Sequence, residues 1–291
     1  MSDSKAQLFT LIALLVGAGV GLAGSQGSVA LGAFPLYALG GAVIYLIHWL
    51  AFIPAWKHQT EHYFDLTGSI AYISTLALTA IAHPALDTRG LVLCLLIMIW
   101  AARLGSFLFT RVKREGGDRR FDPIKIQFWR FFLTWTLSGT WVYVTMAPGL
   151  AAINSAEAAG FDAFFAAGLI LWLGGFAFEV IADRQKTRFR ADPANKDRFI
   201  TSGLWSISRH PNYLGEITLW IGIAVIAFPA LSGWQYLTLI SPVFVIFLLT
   251  RVSGINMLER SGQKRWGDDP AYQAYLDATP SLVPFIGKKG G

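Results

Sequence analysis

In a chain of 291 residues, 54% hydrophobic and only 14% charged, with mean hydropathy +0.48, eleven Trp and 21 Phe, the apolar content exceeds that of a water-soluble globule. Its apolar runs are sized to a bilayer, so the composition excludes a soluble enzyme and predicts an all-α polytopic membrane protein, a bundle of helices. The net charge of +6 needs no nucleic-acid partner, because the cations lie beside apolar runs, where anionic membrane lipid accounts for them.

In chain order, spans are predicted near 6–24, 34–54, 66–83, 90–110, 128–148, 162–182, 213–230 and 234–251, about eight in all. Seven is the count without the first, which reads as a helix or as a cleaved signal peptide. Ser2, Asp3 and Ser4 beside a single Lys5 make a poor signal n-region and favour the helix. Eight spans put both termini on one side, and 20 of the 24 Lys and Arg fall there, while the opposite loops hold only Arg89. The positive-inside rule makes the cation-rich side cytoplasmic, so both termini face the cytoplasm of what is expected to be a bacterial inner membrane. A single cysteine, Cys94, excludes an internal disulfide and a cysteine-based metal site.

The long polar stretches, 111–127, 183–212 and 252–291, share the cationic side and are expected to form a cytoplasmic cap. The first, with six Lys or Arg and the pair Gly116-Gly117, suits phosphate binding or contact with lipid headgroups. Before the second, Glu179 and Asp183 share a helix face, which suggests a buried polar network. The third carries Glu259-Arg260, Trp266, Tyr272, Tyr275 and Pro280 to Phe285, too aromatic for a disordered tail, and is expected to fold beneath the spans and help close a pocket. The chain divides on this reading into N-terminal membrane helices, 1–60, and a catalytic membrane domain, 61–291.

The most informative segment runs from Gly203 to Glu216, a cation-bearing stretch that leads straight into an apolar helix. Pro211 fits a first helical turn, and Asn212, Gly215 and Glu216 follow on one face. A carboxylate at the start of a membrane helix is costly unless it meets a partner or ligand. His58-Gln-Thr-Glu61-His62 has the zinc-binding H-x-x-E-H spacing, but it is short and has no third ligand nearby, so no metal is expected. The chain contains no dinucleotide or Walker glycine motif and no G-x-S-x-G elbow. What remains is a set of cations and acids facing the cytoplasm: Arg103, Arg111, Arg114, Glu179, Asp183, Arg190, Arg209, His210, Asn212, Glu216 and Arg251. Such a set suits an anionic, hydrogen-bonding cofactor.

Gly203-Leu-Trp-Ser-Ile-Ser-Arg-His-Pro-Asn-Tyr-Leu-Gly-Glu216 resembles the C-terminal domain of the steroid 5-alpha-reductases, the sterol reductases and a related bacterial family without assigned function. Trp100-Ala-Ala-Arg103-Leu-Gly, Asp118-Arg-Arg-Phe121, Asp183 with Lys186, and Tyr272-Gln-Ala-Tyr275 before Pro284 extend the likeness over roughly residues 60–285. The resemblance implies an NADPH-dependent reductase that sends hydride to an activated double bond of a lipophilic enone from the bilayer, such as a 3-oxo-Δ4 steroid. It puts Asn212 and Glu216 on the cofactor, Asp183 and Arg190 in its pocket, and Arg111 and Arg251 at its phosphates. Arg103, Glu179, Arg209, His210 and Tyr213 complete the expected cofactor set. Where the steroid enzymes place a tyrosine at the substrate carbonyl this chain has Trp100, so the acid is sought among Glu61, Tyr63 and Asp65, with Asp65 reading equally as a helix N-cap. Arg209-His210-Pro211 and Tyr213 also fit membrane methyltransferases of the isoprenylcysteine and phospholipid type, which use S-adenosylmethionine. A third reading is a lipid-binding protein that keeps the fold without turnover.

Overall fold

The computed structural model describes residues 1–284 and residue 286; Phe285 and the cations Lys288 and Lys289 lie outside the described residues. Apart from a two-residue hairpin, β1 (Ala30–Leu31) paired with β2 (Phe34–Pro35), its regular structure is helical. The helices are α1 (Asp3–Ser25), α2 (Leu36–His58), α3 (Phe64–Ala82), α4 (Thr88–Glu115), α5 (Asp122–Lys125), α6 (Phe128–Ile153), α7 (Ala163–Ala191), α8 (Pro211–Ala227), α9 (Ile240–Phe247), α10 (Ile255–Trp266) and α11 (Pro270–Ala278). Among the described residues, seven segments are long and apolar enough to cross a membrane: Asp3–Ser25, Leu36–His58, Phe64–Ala82, Thr88–Arg114, Ala163–Ala191, Pro211–Ala230 and Gly233–Trp266. They coincide with seven of the eight expected spans.

The eighth, expected at 128–148, is α6, whose 26 residues extend about 39 Å. It is less apolar because lipid is not its solvent. From Val142 to Ile153 it is buried without a break, with α1, α2, α3 and α4 packed around it. Four of its polar side chains meet partners on those neighbours: Thr136 Oγ1 accepts from Trp49 Nε1 at 3.2 Å, Ser138 Oγ meets His48 Nε2 at 3.1 Å, Thr140 meets the Tyr45 hydroxyl at 2.9 Å, and Thr145 meets the Tyr72 hydroxyl. Helix α1 lays a seam of small residues, Ala6, Thr10, Ala13, Gly17 and Gly24, into this bundle.

By compactness the chain forms two units, residues 1–166 with 223–241, and residues 167–222 with 242–291, a division other than that at residue 60. In the first, Phe52, Ala55, Phe121, Phe131 and Trp135 form a cluster where α2, α3, the segment after α4 and α6 meet. In the second, Ala182, Ile200 and Trp205 join α7 to the loop that follows it. Helices α10 and α11 dock on that loop: Trp266 Nε1 donates to the Asp197 carbonyl at 2.8 Å, and the Tyr275 hydroxyl donates to the Trp205 carbonyl at 2.7 Å. The C-terminal segment is thus folded, as its aromatics predict.

Arg89, the one cation expected in the opposite loops, is 2% exposed. Its guanidinium donates to the carbonyls of Ala159, Gly160 and Ile226 and pairs with Asp162 at 3.0 Å, so it clasps the start of α4 to the loop before α7 and the last turn of α8. It is held for architecture, which explains a cation on a side that otherwise lacks them. Arg89→Leu strands those carbonyls and should lower the thermal midpoint in detergent by roughly 5–10 °C. A midpoint within about 1 °C of wild type, read by differential scanning fluorimetry, would refute the clasp.

Candidate functional site

In the second unit, α7 carries Glu179 and Asp183 one turn apart, 2% and 6% exposed, and α8 carries Glu216, 8% exposed. Three carboxylate side chains buried on two helices of membrane length are costly, and α7 and α8 are held together by backbone contact. A Cβ placed on Gly215 would lie 2.6 Å from the Gly175 carbonyl oxygen and from the Glu179 amide nitrogen; one on Gly222 would lie 2.7 Å from the Gly168 carbonyl. The two helices therefore run antiparallel and touch through glycines, the membrane small-residue packing mode. The turn bearing Glu179 abuts the turn bearing Glu216, and no side-chain rotation can relieve a methyl group inserted there. Asn212 and Tyr213, half-buried, occupy the first turn of the same helix.

Ahead of α8, Arg209 is anchored on three sides. Its amide donates to the Pro280 carbonyl at 3.0 Å, Nη1 donates to the Leu276 carbonyl at 3.0 Å, and Nη2 pairs with Glu259 at 2.8 Å. Glu259 also accepts from the Ser281 hydroxyl at 2.9 Å. This guanidinium ties the segment before α8 to the C-terminal segment, while its Nε, also buried, has no partner. His210 is buried, its ring stacked on Tyr213 at 5.8 Å, with Nε2 3.4 Å from Glu259, an electrostatic contact too long for a good hydrogen bond, and with Nδ1 unpartnered. Burial pushes its imidazole below the usual range; Glu259 pulls the other way, and Lys186 and Arg209 add to the depression. Arg190 and Arg251 are exposed, the latter on a π-helical turn, Leu248–Val252, of the kind that often marks functional sites.

In the first unit, the three expected acids fare differently. Glu61 is buried, but its Oε1 accepts the Asp118 amide at 2.9 Å and its Oε2 pairs with Lys125 Nζ at 3.0 Å. Burial raises its pKa, yet those two donors outweigh it and hold the carboxyl below its ordinary value of 4.5. Glu61 is thus an ionised clasp on the 111–127 segment, the reverse of the protonated donor expected. Tyr63 is 58% exposed and stacks on Phe109 at 6.1 Å, an interfacial position. Asp65 is half-buried at the second position of α3, whose N-cap is Tyr63, so it is not the cap. Of the cations expected at the cofactor, Arg103 lies over the Phe107 ring at 5.1 Å on α4, and Arg111 is half-buried near the end of that helix. In the H-x-x-E-H segment, His62 Nδ1 bonds the Thr60 hydroxyl at 2.7 Å.

Trp100 is 2% exposed, and Tyr72 stands edge-on to it at 5.4 Å, sharing a hydrogen bond with Thr145. Tyr72 was missed from the sequence. The available signal was a row of buried polar residues on α3, Tyr72, Thr75 and Thr79, at helical spacing within an apolar span.

The fold and these sites define an integral membrane protein with acids and cations gathered at the ends and interiors of its helices. Residues 51–279 match the family described as "Protein of unknown function (DUF1295)", and the chain belongs to that family. It is similar to "Uncharacterized protein C594.04c" of Schizosaccharomyces pombe, 22% identical over 226 residues, which is 67% of this chain and 63% of that protein, less than two thirds of the relative's length. No solved structure matches the chain.

The Glu61 clasp carries a pH signature. Because its folded pKa is depressed, its contribution to stability is full above pH 4.5 and fades as pH falls below that value through the lowered folded pKa. Glu61→Gln should therefore destabilise the protein at pH 7, with the gap to wild type closing in acid. A gap independent of pH in thermal melts at pH 7 and pH 4 would contradict the ionised clasp.

Proposed function

We propose that this protein is an NADPH-dependent membrane reductase that transfers hydride to an activated carbon–carbon double bond of a lipophilic enone. The observation that carries the proposal is the set of buried carboxylates, Glu179, Asp183 and Glu216, fixed on α7 and α8 by the Gly175–Gly215 contact. Acids inside apolar helices pair with neighbouring groups and mark sites where polar ligands are recognised. Amide and ribose hydroxyl groups offer donors that such carboxylates accept, and Asn212 supplies the complementary amide. Arg251, exposed and with its guanidinium unpartnered among the described residues, suits a phosphate oxygen, and Arg190 lies at the exposed end of α7. NADPH, when bound, supplies the hydride; the residues named bind it, orient it and exclude water from it.

This reading also needs a proton donor. The Glu61 clasp and the exposure of Tyr63 weigh against two of the expected acids, and the resemblance calls for a phenol where Trp100 stands. Of the acids expected, Asp65 on α3 remains. The methyltransferase and non-catalytic readings draw on no separate feature of the structure, and they appear as alternative outcomes of the same test.

The detergent-purified protein should be stabilised by NADPH and not by S-adenosylmethionine, by about 2.7 kcal/mol at a hundred times Kd. Glu216→Gln should weaken that response at least tenfold while leaving the unliganded midpoint near wild type. Stabilisation by S-adenosylmethionine alone would replace the reductase with the methyltransferase, and a response to neither would leave a lipid binder.

A further inference from the structure

At one end of the first unit, where α2 gives way to α3 and the segment after α4 leads into α6, the chain surrounds an open polar cleft of about 550 Å³. That volume falls within the usual range for small-molecule sites, roughly 300–1,000 Å³. His58, Glu61 and His62 line it from the α2–α3 turn, and Arg119, Asp122 and Lys125 line it from the other segment.

Most of these charges are spent on each other. Lys125 is shared by Glu61 at 3.0 Å and Asp122 Oδ1 at 2.9 Å, and Asp118 is engaged by Arg120 at 2.9 Å. The Arg120 guanidinium holds the Asp118 carboxyl below its usual range although burial opposes it. Three groups are left over. The side chains of Arg119 and His58 have no hydrogen-bond or ionic partner among the described residues, and Asp122, 58% exposed, keeps Oδ2 unengaged. An unused guanidinium and imidazole beside an unused carboxylate oxygen form a two-signed recognition pattern. A simple anion would meet Glu61, Asp118 and Asp122 at close range, whereas a ligand carrying both a phosphate and an ammonium satisfies both signs.

The surroundings identify the source of such a ligand. Trp56, Phe128 and Trp129 form an aromatic group beside the cleft, Phe128 standing edge-on to both tryptophans at 5.2 Å, and Phe128 is 41% exposed. With Lys57 and Arg130 next to them in the chain, these residues have the composition of a membrane–water interface, so the cleft opens at headgroup depth.

We propose that this cleft binds the headgroup of an aminophospholipid, with the phosphate on Arg119 and His58 and the ammonium on Asp122. The site is independent of the reductase reading, since none of its three ligand groups belongs to the cofactor set.

The test uses the full-length protein, delipidated in detergent and titrated with dioleoyl phosphatidylethanolamine, phosphatidylcholine or phosphatidylglycerol, with bound lipid counted by native mass spectrometry. Phosphatidylethanolamine should be retained preferentially: phosphatidylglycerol lacks the ammonium, and the methylated ammonium of phosphatidylcholine cannot donate to Asp122. Arg119→Gln should weaken its binding roughly tenfold. Asp122→Asn should erase the preference over phosphatidylglycerol. Both side chains are exposed, so the unliganded midpoints should match wild type and separate lost binding from lost fold. Equal retention of all three lipids, or undiminished preference in both variants, would overturn the site. Soluble phosphoethanolamine that competes at the same concentration as the lipid would overturn the lipid assignment, whereas competition only at far higher concentration supports it.

Discussion

Inside a bilayer no water waits to satisfy a polar group, and that constraint organises this protein. Helix α6 shows it most directly. The helix carries threonines, serine and tyrosine through the middle of the first unit, and the groups described on it meet donors and acceptors on α2 and α3. Ser241 adds to the same column by donating to the Thr145 carbonyl at 2.5 Å. A helix with this composition is stable at membrane depth because it is enclosed, and its neighbours are placed by the bonds they make to it. Arg89 obeys the same rule at the end of the bundle, where a buried guanidinium is tolerable because carbonyls and Asp162 surround it.

Acids in this chain are held in two physically different ways. Glu61 and Asp118 sit beside cations and amide donors, and both carboxyls are held below their ordinary pKa; Glu61 locks the 111–127 segment onto the α2–α3 turn, and Asp118 pairs with Arg120 within that segment. Glu179 and Glu216 instead lie on helices whose backbones touch, where glycine is needed for approach and where the acids flank that contact. The first arrangement is explained by stability alone. The second sets carboxylates on helices of membrane length, and the cofactor proposal draws its support from there.

Helix positions were legible from hydropathy because a span must supply about 20 apolar residues wherever it occurs, and the predicted segments fall on α1 to α4 and α6 to α9. The aromatic and proline-rich C-terminal segment was legible as folded for the same reason, since such residues are seldom left in solvent. The buried acids at 179, 183 and 216 were readable from spacing and cost. Tyr72 was not, because a tyrosine in a span announces its polarity but not the indole it will face. The partners of Glu61 were not legible because local sequence shows a carboxyl near a helix start, while Lys125 and the Asp118 amide reach it from 64 and 57 residues away.

By itself, then, the amino-acid sequence determined that this chain is a helical membrane protein, which stretches span or fill the bundle, and which residue types are too costly to bury without a partner. These are properties of a single segment in a given solvent. Tertiary structure alone decided the ion pair of Glu61 with Lys125, the burial of Arg89, the antiparallel glycine contact of α7 and α8, and the side chains left without partners at His58 and Arg119. Each of those depends on what a second segment brings within about 3 Å, the range over which hydrogen bonds and ion pairs act and over which sequence separation carries no information.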